Sequence, residues 1–265
     1  MNFSRRFVPA LSLSLVLALL TGAVSAEDTK RFEPREGMAG KDVVWVPTPD
    51  FMVEKMLDIG KVAPGDFVID LGSGDGRNVI AAAKRGANAL GVEYNDKLVQ
   101  LSRELAAEAG VSDKAKFVQG DMYEADLSKA TVLILFLLTD NLNKLAPKIF
   151  NLPAGTRVVV NTFHIDDWDS DYSESVTKCS AWCTVYLRIV PAKVQGTWQL
   201  GKDTLSLKQK FQKLEGTLTR GGKNLRVEQG RLLGEKISFV AGGTRYEGRV
   251  EGRKMIGENW TATKH

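Results

Sequence analysis

The stretch from Phe67 to Ile80 sets the terms for the rest of the chain. Phe67-Val68-Ile69-Asp70-Leu71 is an apolar, β-branched run that carries one acid near its end, and Gly72-Ser73-Gly74-Asp75-Gly76 follows at once. An apolar helical pattern then begins at Arg77-Asn78-Val79-Ile80. Strand, glycine turn and helix in that order form the first β–α unit of an open α/β sheet. The glycines allow positive φ in the turn and let the backbone approach a ligand closely. Their spacing is Gly72-x-Gly74-x-Gly76, and Arg77 stands where a G-x-G-x-x-G turn would put its third glycine.

The same rhythm continues downstream. Ala89 to Glu93 reads as a second buried strand ending on an acid, and Lys116 to Gln119 as a third, followed by Gly120-Asp121-Met122. Thr131 to Leu138 is a continuous apolar run, read as a central parallel strand buried on both faces. Arg157 to Thr162 makes a fifth strand and Thr184 to Val190 another, with Asp166 to Glu174 read as an exposed acidic loop. Helical patterns fall between the first five strands, which predicts a doubly wound parallel sheet. Ahead of it, Thr48 is read as the N-cap of a helix that has Pro49 at its first position and stops at Gly60.

From Val194 the pattern changes to period-two alternation punctuated by glycines, with no helical stretch. This predicts a small antiparallel meander of six to eight strands, an open or closed half-barrel. The domains expected are a signal peptide over 1–26, a linker over 27–42, a sheet domain over 43–191 and a basic β-domain over 192–265. The whole chain carries 36 Lys and Arg against 32 Asp and Glu, a net charge of +4. The excess comes wholly from residues 192–265, where 15 Lys and Arg stand against 7 Asp and Glu while the residues before them are net acidic, which marks the β-domain for an anionic membrane surface or for holding a substrate over the site.

Arg5-Arg6, the apolar stretch from Val8 to Val24 and the small residues Val24-Ser25-Ala26 have the layout of a secretory signal. An uncleaved anchor is the alternative, and both place the remaining chain outside the cytoplasm. Ser4 to Val8 partly matches a twin-arginine signal, although Phe7 comes one place early. In an exported protein Cys179 and Cys183 can be oxidised. A continuous strand would hold their Cα atoms roughly 13 Å apart, so a bridge requires a turn through Ser180-Ala181-Trp182. A disulfide is favoured over two separate thiols, and with no histidines nearby no metal site is expected.

Ligands in open α/β sheets sit at the carboxyl ends of the strands. Asp70, Glu93 and Asp121 stand at three such ends in succession. Glu93 is placed to accept hydrogen bonds from ribose hydroxyls, Asp121 from an adenine amino group, and Met122 to pack on the ring. With Asp70-Leu71-Gly72-Ser73-Gly74-Asp75-Gly76, Glu93 and Gly120-Asp121-Met122, residues 43–190 resemble the class I S-adenosylmethionine-dependent methyltransferases. Val46-Pro47-Thr48-Pro49 ahead of the motif narrows the likeness to a group of small bacterial methyltransferases. It is also similar to the mitochondrial lysine methyltransferases that modify the membrane-ring protein (the c subunit) of ATP synthase.

The resemblance implies the fold, S-adenosylmethionine as cofactor, and N-methylation of an amine, either a protein lysine or a small molecule. The cofactor-binding residues expected are Thr48, Asp70, Gly72, Ser73, Gly74, Gly76, Glu93, Asp121 and Met122. Pro47, Thr48, Asp50, Leu138, Thr139, Phe163 and His164 are expected to face the methyl group, with Asp50, Thr139 and His164 as the catalytic candidates. No Asn/Asp-Pro-Pro-aromatic signature follows the fourth strand, so a nucleic-acid substrate is not expected. A monomer is. The alternative function is a non-catalytic exported protein that binds S-adenosylmethionine or a nucleoside.

Overall fold

The computed structural model describes Met1, residues 31–177 and residues 179–265. The expected signal segment, Met1 apart, lies outside the described residues. Residues 32–265 form one compact unit. The chain runs through α1 (Asp50–Ile59), β1 (Phe67–Leu71), α2 (Arg77–Lys84), β2 (Asn88–Glu93), α3 (Asp96–Glu108) and β3 (Ala115–Gln119). It continues with β4 (Val132–Leu135), α4 (Thr139–Phe150), β5 (Arg157–Asn161), β6 (Tyr172–Ser175) and β7 (Thr184–Ile189). These strands form a seven-stranded sheet in the order β3-β2-β1-β4-β5-β7-β6. The strands from β3 to β5 are parallel, while β7 runs antiparallel to β5 and β6 antiparallel to β7.

Side chains on the central strands alternate between two cores. Val68, Val132, Ile134 and Val159 face α1, α2 and α3, whereas Ile69, Leu133, Leu135, Val158 and Val160 face α4. All four residues of β4 are buried, as its unbroken apolar run requires of a strand covered on both faces. The β4 strand is shorter than the apolar run suggested. It ends at Leu135, and Phe136 to Leu138 leave the sheet to open α4.

Two further expectations are corrected. The first helix begins at Asp50 with Pro49 as its cap and no side-chain capping bond; Thr48 instead turns inward and is 4% exposed. The acidic stretch Asp166 to Glu174 is not simply an exposed loop. Trp168 within it is 1% exposed, Asp171 accepts from the Ile189 amide at 2.8 Å, and Tyr172 onward forms the edge strand β6. One large indole outweighs the surrounding charge in deciding which way that segment faces.

The remaining strands are β8 (Gly196–Leu200), β9 (Asp203–Lys210), β10 (Lys213–Arg220), β11 (Lys223–Leu233), β12 (Lys236–Ala241), β13 (Thr244–Glu251), β14 (Lys254–Gly257) and β15 (Thr261–Lys264). Each pairs antiparallel with its chain neighbours, and β15 closes on β8 through Ala262 opposite Leu200. The result is a closed eight-stranded barrel. Closure removes both sheet edges, and Trp198, Leu205, Leu218, Leu232, Phe239 and Met255 fill the interior.

The barrel is packed against the sheet rather than tethered to it. Phe211, between β9 and β10, stacks on Trp168 with ring centroids 4.8 Å apart and meets Phe150 of α4 edge-on at 5.2 Å. The fully buried Gln212 donates to the Asp169 carbonyl at 2.7 Å. Arg231 and Lys213 pair with Asp171 and Asp169, each at 2.7 Å.

Candidate active site

A cleft of about 900 Å³, including its open mouth, lies over the carboxyl ends of β1, β2 and β4. Thr48, Asp70, Gly72, Ser73, Gly74, Glu93, Asp121 and Met122 all line it. The sheet order explains this convergence, since β3, β2 and β1 are adjacent and Asp121, Glu93 and Asp70 sit at or just past their carboxyl ends.

Glu93 is fixed by two backbone amides. Gly74 donates to Oε2 at 2.9 Å and Asn95 donates to Oε1 at 2.9 Å. The glycine turn and the start of α3 thereby hold the carboxylate still while its other lone pairs face the cleft. Asp70 is 2% exposed, and Asn78 donates to its Oδ2 at 3.0 Å. Burial pushes the Asp70 carboxyl up to about 8; the Asn78 hydrogen bond opposes this, and the charges of Glu93 and Asp75 add to it. The Ser73 hydroxyl and the Asn78 carbonyl oxygen are buried without a hydrogen-bond partner. Unpaired buried polar atoms are costly, and here they border a cleft in which a polar ligand would pair them.

Gly74 and Gly76 have φ of 56° and 81°, and each is glycine for a different reason. A Cβ on Gly74 would lie 2.6 Å from the Trp45 indole nitrogen, which covers the turn. A Cβ on Gly76 would meet the Phe117 ring at 2.6 Å and the Ser102 Cβ at 2.9 Å. Gly76 does not line the cleft. It lets α2 pack close to α3 and β3, so its part in cofactor binding is indirect.

The segment expected to be a linker forms a wall of the site. Gly37 donates to the Trp45 carbonyl at 2.9 Å and Trp45 to the Met38 carbonyl at 2.8 Å, folding residues 38–48 along the cleft. Lys41 forms an ion pair with Asp121. That hydrogen bond, together with one from the Tyr123 amide at 2.9 Å, holds the Asp121 carboxyl below its ordinary range. Arg77 clamps the other end of the segment. It donates to the Thr48 carbonyl at 2.7 Å and grips Asp75 through Nε and Nη2 at 3.0 and 2.6 Å. Lys41 is not legible as a site residue, because nothing in a polar stretch signals that it will fold back over a cleft, and Trp45 sits in the apolar run Val43 to Val46 with no pattern to say what it covers. Asn78 has a signal, an uncharged polar residue beside Val79 and Ile80 in the first turn of α2.

The three catalytic candidates lie elsewhere. Asp50 is exposed at the start of α1, with Arg77 3.6 Å away. Thr139 opens α4, and His164 is exposed with its ring 4.6 Å from that of Tyr186. None of them lines the cleft, and neither do Leu138 and Phe163, whereas Pro47 does. Phe136 and Leu137 supply the wall at the end of β4. The cysteines are joined, with Cys179 and Cys183 Cα atoms 5.6 Å apart, and the turn through Trp182 makes this possible.

A largely parallel sheet with acids at successive strand ends, a glycine turn and unpaired polar atoms beside the cleft forms a Rossmann-like ligand site, and comparison with known proteins identifies it as that of a methyltransferase. Residues 70–172 match a family model described as the ANTKMT methyltransferase domain. A protein-lysine N-methyltransferase from Saccharolobus islandicus is 41% identical over 151 residues, covering 56% of this chain and 94% of that protein. The lysine N-methyltransferase that acts on the c subunit of ATP synthase in Rattus norvegicus is 34% identical over 52% of this chain and 64% of its own length. The adenine nucleotide translocase lysine N-methyltransferase of Mus musculus is 38% identical over 44% of this chain and 51% of its own length. The chain thus spans nearly all of the Saccharolobus relative but only about half to two-thirds of the rat and mouse ones.

A crystal structure of an RNA methyltransferase from Salinibacter ruber, in complex with S-adenosyl-L-homocysteine, superposes with a TM-score of 0.53 at 42% identity. It covers 56% of this chain and 96% of that one. On its 41% identity across 94% of the Saccharolobus islandicus enzyme, the chain belongs to that protein-lysine N-methyltransferase family. It is an S-adenosylmethionine-dependent enzyme, and the non-catalytic alternative is not favoured.

Proposed function

We propose that the protein methylates the side-chain amine of a lysine in a protein substrate, and that it does so outside the cytoplasm. The observation that carries the reading is the 41% identity with a protein-lysine N-methyltransferase across 94% of that enzyme's length. Export is supported by the basic and apolar N-terminal sequence and by the Cys179–Cys183 bridge. The barrel's excess of basic residues supports contact with an anionic membrane surface.

The residues around the cleft suit the cofactor. Glu93 would accept from the ribose hydroxyls and Asp121 from the adenine amino group. Met122 would pack on the ring, and Asp70, Asn78 and Ser73 would hold the amino-acid end. S-adenosylmethionine, when bound, would supply an activated methyl group to a lysine amine that has first given up its ammonium proton to water. The protein's share is alignment and exclusion of water. Val46-Pro47-Thr48, held by Arg77, and Phe136-Leu137 at the end of β4 narrow the cleft from two sides.

Incubation of cell-envelope extracts with methyl-labelled cofactor and the purified enzyme, followed by fractionation and peptide mapping, tests the reading. Label on lysine is the expected result. Label in RNA, the substrate class named for the Salinibacter ruber enzyme, would overturn it.

A further inference from the structure

Three aromatic rings meet beside the cleft, outside the residues suited to the cofactor. Phe136 follows β4, Phe163 follows β5, and Trp182 lies in the turn between β6 and β7. Their centroids are 6.0 Å apart for Phe136 and Phe163, 5.5 Å for Phe136 and Trp182, and 5.8 Å for Phe163 and Trp182. Phe136 alone of the three lines the cleft, so the cluster extends outward from the cleft's β4 side.

Core packing accounts for part of the cluster only, since Phe163 packs against the core that faces α4 whereas Phe136 and Trp182 belong to no core cluster among the described residues. The rings of Phe136 and Phe163 are half-buried, and Trp182 is 36% exposed. Trp182 also has φ of 62°, a left-handed conformation that is a true outlier for a bulky side chain. The Cys179–Cys183 bridge closes the short turn that holds it there. Backbone strain persists only where the surroundings enforce it, and it concentrates at ligand clamps and active sites. Leu138, two residues after Phe136, is also exposed.

Aromatic faces attract cations, tryptophan most strongly. A lysine side chain offers both things such a surface takes, an apolar four-carbon stem and a cationic head. Resting on the amine reading above, we propose that Phe136, Phe163 and Trp182 form the subsite for the substrate's cationic side chain. Trp182 is the outer ring, set in place by the disulfide, and Phe136 is the inner one, where the path joins the cleft. The subsite selects an alkylammonium over a neutral group of the same shape.

The test uses the folded mature protein saturated with S-adenosylhomocysteine. Two probes are titrated by NMR: the Nα-acetylated methylamide of trimethyllysine, and its neutral isostere in which carbon replaces the ammonium nitrogen. Wild type is expected to bind the cationic probe about tenfold more tightly than the isostere, equivalent to about 1.4 kcal/mol. Trp182→Ala should abolish that preference while leaving S-adenosylhomocysteine affinity within about twofold, and Trp182→Phe should retain most of it. The double variant Cys179→Ser with Cys183→Ser should behave like Trp182→Ala. Equal binding of the two probes by wild type, or an unchanged preference in Trp182→Ala, overturns the subsite. Label on protein lysine together with Trp182-independent probe binding would sink the subsite alone. Trp182-dependent cation binding with label on a small-molecule amine would sink the protein-lysine reading and keep the subsite.

Discussion

Replacing Asp70 with Asn should make the ligand-free protein more stable and the cofactor weaker, and the size of the first effect follows from the burial of one carboxyl. Asp70 is 2% exposed, and its pKa stands at about 8 against an ordinary 3.8. Between those values the unfolded chain has released the proton and the folded chain keeps it. Stability is therefore full below pH 4 and falls as pH rises, by about 1.4 kcal/mol per pH unit, until the folded carboxyl ionises near pH 8. At pH 7 the accumulated loss from this one group is on the order of 4 kcal/mol. Asparagine has the same shape, presents an oxygen to the Asn78 amide that now donates at 3.0 Å, and does not ionise.

Urea unfolding of the protein without ligand at pH 5, 6, 7 and 8 measures this directly. Asp70→Asn should exceed wild type by about 4 kcal/mol at pH 7, and the two curves should converge towards pH 4. Calorimetry then measures the cost. The variant lacks the carboxylate that would face the cofactor's ammonium, so affinity should fall by about 1.5–3 kcal/mol, the range for charged hydrogen bonds. Wild type should also release a proton on binding at pH 7, because a cationic ligand favours ionised Asp70, and the variant should not. A variant no more stable than wild type at pH 7, or one with the same pH slope, would refute the assignment of a buried, proton-bearing Asp70.

Glu93→Ala should weaken S-adenosylmethionine binding by roughly 1–3 kcal/mol in calorimetry, and it also removes the acceptor of the Gly74 and Asn95 amides. Gly76→Ala should lower stability by about 3 kcal/mol in denaturant unfolding through strain and overpacking, because its Cβ would lie 2.6 Å from the Phe117 ring; unchanged stability would mean the turn can relax. A protein ending at Pro191 should still bind S-adenosylhomocysteine, because every residue lining the cleft precedes it, but it should melt several degrees lower with Phe211 gone from Trp168. Failure of that shortened chain to fold would show that sheet and barrel share one core. Arg5→Lys with Arg6→Lys keeps the leader positive, so general secretion should tolerate the change and twin-arginine export should fail; secretion assayed by fractionation decides between the routes.

The features of this chain that read from sequence are those set by local pattern. The period-two alternation after Val194 marks strands because each one must turn one face inward, and those inward positions are the residues now packed in the barrel. Whether such a meander closes depends on the pairing of β15 with β8, a contact between chain segments that no local pattern encodes. The antiparallel placement of β7 beside β5 escaped for a similar reason, since strand composition looks alike in either direction.

The site divides along the same line. Asp70, Glu93 and Asp121 were legible because strand ends fix where acids converge, and the fold delivers them to one cleft. The substrate side was not, and the three candidates chosen for it are polar groups near strand and helix ends that stand outside the cleft. Methyl transfer from a sulfonium needs an aligned amine and a dry path more than a strong base, so apolar residues fit that side better. Phe136 precedes the candidate Thr139 by a few positions and Phe163 adjoins the candidate His164, and together they point to a surface made of rings. Trp182 completes it only because a disulfide holds an indole in a left-handed turn. In the sequence the Cys-x-x-x-Cys pair looked like a staple for a loop. In the fold, the staple positions a side chain, which makes the oxidised state of Cys179 and Cys183 part of the case for where this enzyme works.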